Sequence, residues 1–255
     1  MIKRWLLTLL VLAAVMAPGR SFALLGLVSV EGAVGGFMPT PSGHLQYDGT
    51  GSTNGDVESL LGFEDEAFVT ARLRVELPLV LPNVYLMTTP MEFDGDLAGS
   101  FTFAGKTFSA TDNATLTLNQ HDIGLFYGIP FLGVATLGRV GVDWGLNVRL
   151  LELDAEFTDP ASNTTKTESV DVPVPLLFAA AQLNLIGGFA LEAELRGMDV
   201  NYARIISAIG RVKYNTLGPF FVAAGYRHEE INVDKDDIKM DITVAGPFAE
   251  AGFSF

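Results

Sequence analysis

Side-chain polarity alternates with a period of two residues over long stretches of this chain of 255 residues. In the segment 69–77 every second residue is apolar, and threonine, arginine or glutamate stands between them. Because successive side chains of a strand point to opposite faces of its sheet, this period predicts β-strands with one apolar and one polar face. The same alternation recurs in three further segments, 139–149, 189–196 and 220–227.

The length of these strands separates a membrane barrel from a soluble β-sandwich. The alternating stretches run for about ten residues or more, whereas strands of soluble proteins average about six. A transmembrane strand needs about 9–11 residues to cross a bilayer at a tilt. No segment after residue 23 has the run of about 18 apolar residues that a transmembrane helix needs. We therefore predict an all-β protein, a closed antiparallel transmembrane β-barrel.

The alternation predicts ten strands, and eight if the two segments beside the short connection Asp199–Ala203 are misassigned. An even number suits a barrel whose two termini lie in the periplasm. We predict short periplasmic turns and long extracellular loops, the latter near Met38–Glu66, Phe93–Asn113, Asp159–Glu168 and Asn232–Lys239. The predicted strands are Leu25–Phe37, Ala67–Leu77, Val84–Phe93, Thr115–Tyr127, Ala135–Phe157, Val170–Leu185, Phe189–Met198, Arg204–Tyr214, Phe220–Ile231 and Met240–Phe255.

Several strands change the phase of their alternation midway. Before Gly246–Pro247 the even-numbered residues are apolar, and after it the odd-numbered residues are apolar. Leu150–Leu151 marks a similar change. One inserted residue turns every later side chain to the other face, so both sites predict β-bulges. Pro173 and Pro175 cannot donate to a ladder, and they predict a further bulge or the upper rim of their strand.

The first 23 residues have the features of a secretory signal peptide. Lys3 and Arg4 precede an apolar run over residues 5–17, and small residues stand at the −3 and −1 positions before a cleavage site after Ala23. The run is shorter than the roughly 20 residues of a spanning helix. We predict that residues 1–23 are a cleaved signal peptide and residues 24–255 the barrel domain; the alternative is an uncleaved anchor.

The composition excludes several classes of protein. A formal net charge of −14 argues against nucleic-acid binding, which needs clustered Lys and Arg. The chain has no cysteine, which excludes a disulfide scaffold, a thiolate metal site, a cysteine nucleophile and a lipidated N-terminal cysteine. A mean hydropathy of +0.33 beside 30 acidic and 16 basic residues fits strands with one face to lipid and the other to the lumen and loops.

The polar faces of the predicted strands carry charges of both signs. An arginine that faced lipid at the bilayer midplane would cost about 2–4 kcal/mol, so we assign these residues to the lumen, where opposite charges pair across strands. Because eight to ten strands enclose little more than their own side chains, we predict a lumen plugged by salt bridges, with a narrow ion or solute channel as the alternative. The predicted network comprises Arg72, Arg74, Glu76, Arg139, Asp143, Arg149, Glu192, Glu194, Arg196, Arg211, Lys213, Arg227 and Glu250.

The three histidines raise another alternative, a rim-site enzyme that acts on lipid A or peptides. His44 lies in the first outer loop, His121 and Asp122 point to opposite faces of one strand, and His228 shares a face with Glu230. A catalytic constellation draws on several strands, and no matching serine or second acidic pair is evident. We therefore predict no catalytic, cofactor-binding or metal site, and no cofactor.

Short segments spread along the chain carry a resemblance to a known group of proteins. They are 60–66 (Leu-Leu-Gly-Phe-Glu-Asp-Glu), 81–83 (Leu-Pro-Asn), 172–177 (Val-Pro-Val-Pro-Leu-Leu), 225–227 (Gly-Tyr-Arg) and 246–248 (Gly-Pro-Phe) with the terminal Phe255. In these features the chain resembles an uncharacterised family of small outer-membrane β-barrel proteins of Gram-negative bacteria. The resemblance implies a fold and a compartment, and it implies no reaction and no functional residue.

The chain ends on an alternating strand that closes with Phe253 and Phe255. This ending resembles the recognition signal of bacterial outer-membrane proteins, which implies contact with the barrel-assembly machinery. The acidic outer loops are interpreted as solvated turns, which could bind divalent cations that bridge to anionic lipopolysaccharide. We expect a monomer in the outer membrane with a structural or surface-interaction role, in contact with membrane lipid and lipopolysaccharide and not with nucleic acid.

Overall fold

The computed structural model describes residues 28–47, 54–78, 81–110, 112–200, 203–216, 218–235 and 238–255, so the predicted signal peptide, residues 1–23, lies outside the described residues. A short helix, α1 (Leu132–Ala135), precedes the strand predicted from Ala135, which therefore begins at Val140. Within the described ranges no helix is long and apolar enough to cross a membrane. The strands are β1 (Ser29–Phe37), β2 (Thr40–Tyr47), β3 (Asn54–Asp56), β4 (Phe68–Glu76), β5 (Asn83–Thr89), β6 (Glu92–Asp96), β7 (Phe101–Phe103), β8 (Lys106–Phe108), β9 (Asn113–Gly128), β10 (Val140–Asp159), β11 (Thr164–Asn184), β12 (Phe189–Val200), β13 (Ala203–Asn215), β14 (Phe220–Lys235) and β15 (Ile238–Ser254).

Antiparallel pairing closes the sheet into a barrel. β1 pairs with β4 on one side and with β15 on the other, and the order runs from β4 through β5 and β9 to β15. β2 continues β1 along β15, and β6 continues β5 along β9, so each of these two pairs forms one strand of the wall. The wall has ten strands, which confirms the prediction, and β12 and β13 are both members of it.

Two of the segments predicted as long outer loops are the ends of strands. β10 and β11 stay paired up to Asp159–Thr164, and β14 and β15 stay paired up to Lys235–Ile238. Inward-facing apolar residues continue along these ends, and their burial in the core stabilises the longer strands. The segments 38–66 and 93–113 are longer connections, and they contain β2, β3, β7, β8 and most of β6.

The bulges predicted at Leu150–Leu151 and Gly246–Pro247 are wrong. Pairing between β10 and β11 continues in one register from Val140–Leu183 to Asp159–Thr164. The pairing of β15 with β1 and β2 also keeps one register on both sides of Gly246–Pro247. Each side chain therefore keeps the face that the period of two assigns to it along the whole strand.

The apolar face changes sides instead. On β10 the outward residues are apolar up to Leu150 and acidic from Glu152 to Glu156, whereas the inward residues are glycine or polar up to Arg149 and apolar from Leu151 to Phe157. The periplasmic half of the barrel thus has an apolar exterior, and the outer half has an apolar interior like that of a soluble protein. A change of environment at the membrane surface produces the same sequence pattern as an inserted residue.

Pro173 and Pro175 lie at this level on β11. They are exposed on the outward face, opposite Leu150 and Val148 of β10. β12 pairs with β11 from Leu177 to Asn184, so the two prolines lie above that ladder, where a missing N–H costs little. They mark the upper rim of the membrane-spanning wall and not a bulge.

The apolar exterior has the height of a bilayer core. The ten residue steps from Val140 to Leu150, at about 3.3 Å each and a tilt of about 40°, give about 25 Å, which is the apolar band of outer-membrane barrels. At its lower edge the rings of Tyr127 and Trp144 lie 6.3 Å apart, and those of Phe189 and Tyr214 lie 4.8 Å apart. Aromatic rings of this kind are enriched where a membrane meets water.

Arginine substitutions at two depths of β10 test this placement. We expect Leu146→Arg to lower the free energy of unfolding in vesicles by about 2–4 kcal/mol, because it places a charge near the bilayer midplane. Glu156→Arg is the matched control: it also points outward but lies above the apolar band, and we expect a change within about 0.5 kcal/mol. Equal losses in urea titrations of the two variants would contradict the assigned membrane level.

Candidate functional site

An upper network of charged side chains crosses the lumen just below the membrane rim. Arg149, which is fully buried, donates to both carboxylate oxygens of Asp122 at 3.0 and 2.9 Å and to Glu229 at 2.9 Å. Arg227 also contacts Glu229, with an N–O distance of 2.9 Å. Two arginines thus face two carboxylates, so this upper network has no formal net charge. Arg227 donates further to Thr89 and Gln120, each at 2.7 Å.

A lower network fills the lumen toward the periplasm. Arg72 lies at its centre and donates to Glu250 at 2.8 Å and to Glu31 at 2.7 Å. Lys213 contacts Glu31 at 2.5 Å and Glu192 at 3.2 Å. The members come from β1, β4, β12, β13 and β15, strands on several sides of the barrel, so the bridges tie its walls together.

Two further arginines complete the lower network. Arg211 contacts Glu194 and, at 3.5 Å, both Glu192 and Glu250. Arg196 donates to Glu194 at 2.6 Å. Four cations and four carboxylates therefore balance within the lower network as well. Pairing of this kind lowers the cost of holding charge away from bulk water.

Aromatic rings fill the space between the charges. The guanidinium of Arg196 lies 4.8 Å from the ring centre of Tyr85 and 5.2 Å from that of Phe178. Lys213 and Arg72 lie 4.5 and 5.6 Å from the ring centre of Phe221. These are cation–π distances, and the rings occupy lumen volume that water would otherwise fill.

The periplasmic mouth holds a small polar vestibule of about 210 Å³. Arg74 reaches across it to Asp143 at 2.9 Å and to Glu76 at 2.7 Å. The lower network forms the inner end of the vestibule through Glu31 and Arg72. The vestibule is thus a recess in the periplasmic end, and paired charges close its floor.

Above the upper network the lumen is filled by a continuous apolar core. Leu151, Leu153 and Val172 are among its buried members, which come from both sides of the outer half of the barrel. The connection between β3 and β4 adds Val57, Leu61 and Phe63, each almost completely buried. Side chains from the wall and from the first outer connection therefore close the extracellular end.

The hairpin formed by β7 and β8 completes this closure as a lid. Its Phe101, Phe103 and Phe108 are fully buried around Phe157 of β10, with ring centres 4.9, 4.6 and 5.6 Å away. Lys106 at the hairpin tip contacts Asp159 at 2.9 Å. Hydrogen bonds from Ser162 and Lys106 hold the pKa of Asp159 well below its usual range, so the carboxylate that holds the lid stays charged.

Comparison with known proteins finds likeness in structure alone. No model of a known protein family and no curated protein matches the sequence. Among solved structures, Ail, the attachment invasion locus protein of Yersinia pestis, in complex with the heparin analogue sucrose octasulfate, is 11% identical, with 90% of this chain and 99% of that chain covered and a TM-score of 0.43. The Ralstonia pickettii toluene transporter TbuX is 10% identical (90% and 64% covered, TM-score 0.35), and the outer membrane protein OprG from Pseudomonas aeruginosa is 12% identical (89% and 95% covered, TM-score 0.29).

The wall itself decides the compartment. It is a closed sheet with an apolar exterior of bilayer height, aromatic rings at the lower edge and charges inside, which is the architecture of barrels that span the outer membrane. The protein is an outer-membrane β-barrel of the Gram-negative type. The predicted fold and location are confirmed.

Most residues predicted for the lumen of this outer-membrane barrel meet in the two networks or at the vestibule. Glu76 and Asp143 lie at the periplasmic mouth with Arg74. Arg139 does not join them, because it precedes β10 in the periplasmic turn and is exposed. At the end of the chain, Phe253 and Phe255 lie 5.4 Å apart near the outward aromatic edge of the wall.

Three members of the networks were missed in the sequence: Glu31, Asp122 and Glu229. Glu229 stands two residues after Arg227, so the period of two already placed it on the inward face. Asp122 stands in phase with Phe126 on β9, so the period of two also places it on the inward face. Glu31 lies near the start of β1, in a stretch with little polar alternation.

The histidines of the barrel are apart from one another. His44 lies 3.8 Å from Asp56 on the outer hairpin of β2 and β3, and His228 lies 3.3 Å from Glu230 with both side chains half exposed. His121 faces outward, with its Nδ1 2.9 Å from the hydroxyl of Thr88. In the ranges that the structure describes, no three His, Asp or Glu side chains cluster in a way that could hold a metal ion.

Removing one charge from the upper network, or a balanced pair, tests what the pairing contributes. We expect Arg149→Met to lower the free energy of unfolding in vesicles by about 3–5 kcal/mol, because it leaves buried carboxylates without their counter-charge. The double variant Arg149→Met with Asp122→Asn keeps Glu229 paired with Arg227, and we expect it to recover at least half of the loss. A double variant less stable than the single one would contradict the charge-balance account.

Proposed function

We propose that the protein is a closed, non-conducting outer-membrane barrel that works through the surface it presents outside the cell. The observation that carries this proposal is the double closure of the lumen. Charge-balanced networks and aromatic rings fill the membrane-spanning part, and an apolar core with the β7–β8 lid fills the outer part. Ion flow needs a continuous polar path, and the apolar core interrupts it.

Planar-bilayer recording tests the closure. We expect the purified protein to show no steady conductance step at either polarity. A variant that lacks the lid residues 101–108 is the informative companion, because its charged networks remain in place; we expect it to stay closed. A steady, ion-selective step in the wild-type protein would support the channel alternative and contradict the proposal.

The outer half of the barrel continues the paired wall beyond the apolar band and has an acidic exterior. Glu92 of β6, Thr117 of β9 and Asp154 of β10 stand side by side across three strands. One repeat higher, Asp94, Thr115 and Glu156 stand in the same way, and Thr115 donates to Asp94 at 2.7 Å. These four carboxylates, with the threonines between them, form an acidic stripe just above the apolar band.

Its position suggests what the acidic stripe contacts. The outer leaflet at that level consists of lipopolysaccharide, whose phosphates repel a carboxylate unless a cation lies between them. Mg²⁺ and Ca²⁺ prefer oxygen ligands of both kinds. We therefore propose that divalent cations join the acidic stripe to lipopolysaccharide, which makes the barrel part of the cross-linked outer leaflet. Without such cations the acidic stripe would repel a negatively charged polymer, so this charge pattern does not favour direct binding of a polyanion.

Binding of labelled lipopolysaccharide to the protein in detergent micelles tests this part. We expect binding in Mg²⁺ that EDTA reverses, and severalfold weaker binding by the variant Glu92→Gln, Asp94→Asn, Asp154→Asn, Glu156→Gln. The control removes as many outward charges from the far side of the barrel: Asp199→Asn, Glu230→Gln, Asp234→Asn, Asp241→Asn. Equal weakening by both variants would show that net charge alone, and not the acidic stripe, attracts the lipid.

Export and assembly complete the proposal. We propose that residues 1–23 are removed on export and that the last strand, ending in Phe253 and Phe255, is read by the barrel-assembly machinery, after which the protein stays a monomer. The support is the leader pattern of the sequence and the outward aromatic edge near Phe255. A mature protein whose mass still includes the first 23 residues would contradict the cleavage.

A further inference from the structure

The periplasmic connection between β9 and β10 exposes large apolar side chains. Phe131, Val134 and Leu137 are 83%, 80% and 88% exposed. The segment 128–138 around them contains no charged residue. Apolar side chains exposed together mark an interaction surface.

The exposed side chains lie in one ordered turn. Val134 belongs to α1, and Phe131 and Leu137 flank this helix with positive φ angles of 63° and 53°. Leu132 and Thr136 are half-buried, and the Thr136 hydroxyl donates to the carbonyl of Leu132 at 2.8 Å and accepts from the N–H of Val140 at 3.1 Å. These bonds order the turn while Phe131, Val134 and Leu137 stay exposed.

The neighbouring turn enlarges the same surface. Ile186, between β11 and β12, is 89% exposed. Asn184 joins the two turns, because its backbone N–H donates to the carbonyl of Arg139 at 2.7 Å and its side-chain amide donates to the carbonyl of Gly138 at 2.8 Å. Phe131, Val134, Leu137 and Ile186 are together called the periplasmic patch.

The periplasmic patch is continuous with the lipid-facing wall. Directly above it Val140 and Leu183 pair on β10 and β11, and the outward Trp144 follows on β10. Val140 is the lower end of the apolar band of about 25 Å, so the patch begins where the headgroup layer of about 5–7 Å begins. The exposed Arg139 stands beside it and supplies a cation at the level of lipid phosphates.

We propose that the periplasmic patch lies in the headgroup layer of the inner leaflet of the outer membrane, and that phospholipid covers it. Apolar side chains beside a cation are the chemistry of helices that lie in a membrane interface. The patch extends the lipid contact below the wall on the side of β9 to β12, and it fixes the depth of the barrel there.

Tryptophan fluorescence of the mature chain in phospholipid vesicles tests the proposal. Trp144 is the only tryptophan after residue 23, so Trp144→Phe provides a silent background. In that background we expect Phe131→Trp to emit at shorter wavelength than an exposed tryptophan, to resist acrylamide, and to be quenched by lipids brominated near the headgroup. Ile186→Trp is a second reporter with the same expected result, in case the first variant does not fold.

Ala161→Trp, at the exposed outer tip between β10 and β11, is the matched control. We expect it to be open to acrylamide and insensitive to brominated lipid. The vesicles contain no other protein, so a patch kept for a periplasmic protein partner would behave like this control. If the folded Phe131→Trp and Ile186→Trp variants both match Ala161→Trp, the proposal is overturned.

Discussion

Every backbone N–H and C=O within the hydrocarbon layer needs a partner in the protein, because lipid offers none. The ladder between β1 and β15 meets that need by leaving the sheet without an open edge in the membrane. The closed ladder also holds its register over the full length of the strands, so the period of two determines which face each residue takes. Because the faces are fixed, only the residue type at each position can adapt to the surroundings. At the membrane surface the apolar residues change from the outward to the inward face.

Within the membrane-spanning part the interior holds polar side chains, and in the outer half it holds apolar ones. In the lower half, arginines from opposite walls meet carboxylates so that each network is electrically balanced. A buried ion pair adds little stability relative to an apolar pair of the same shape, but the loss of one partner is expensive. The networks therefore stabilise the barrel only while every charge keeps its partner. The apolar core and the lid follow the ordinary rule for a water-exposed sheet, and the two kinds of filling close the lumen in series.

The sequence predicted the strands and the faces of most residues well, because both depend on a local period. It did not distinguish a bulge from a change of surroundings at Leu150–Leu151, since two adjacent leucines and a reversed phase result from either. The unbroken register of β10 on β11 decides between them, and that register is a property of two strands that one strand's pattern does not contain. The meeting of Asp122, Arg149 and Glu229 was also beyond prediction, because β9 and β10 are neighbours but β14 lies across the lumen. Arg139 was assigned to the lumen from a run of alternation that extends into the turn.

Single-cysteine scanning of β10 tests the reversal of polarity most directly, and the absence of native cysteine makes the background clean. Each position from 142 to 157 would be labelled with a water-soluble maleimide on the protein in outer-membrane vesicles. A continuous register predicts that 152, 154 and 156 react, that 142 to 150 do not, and that 151, 153, 155 and 157 are protected by the core. Reaction at 151, 153 and 155 with protection at 152, 154 and 156 would show that the strand flips its faces, and would contradict the account.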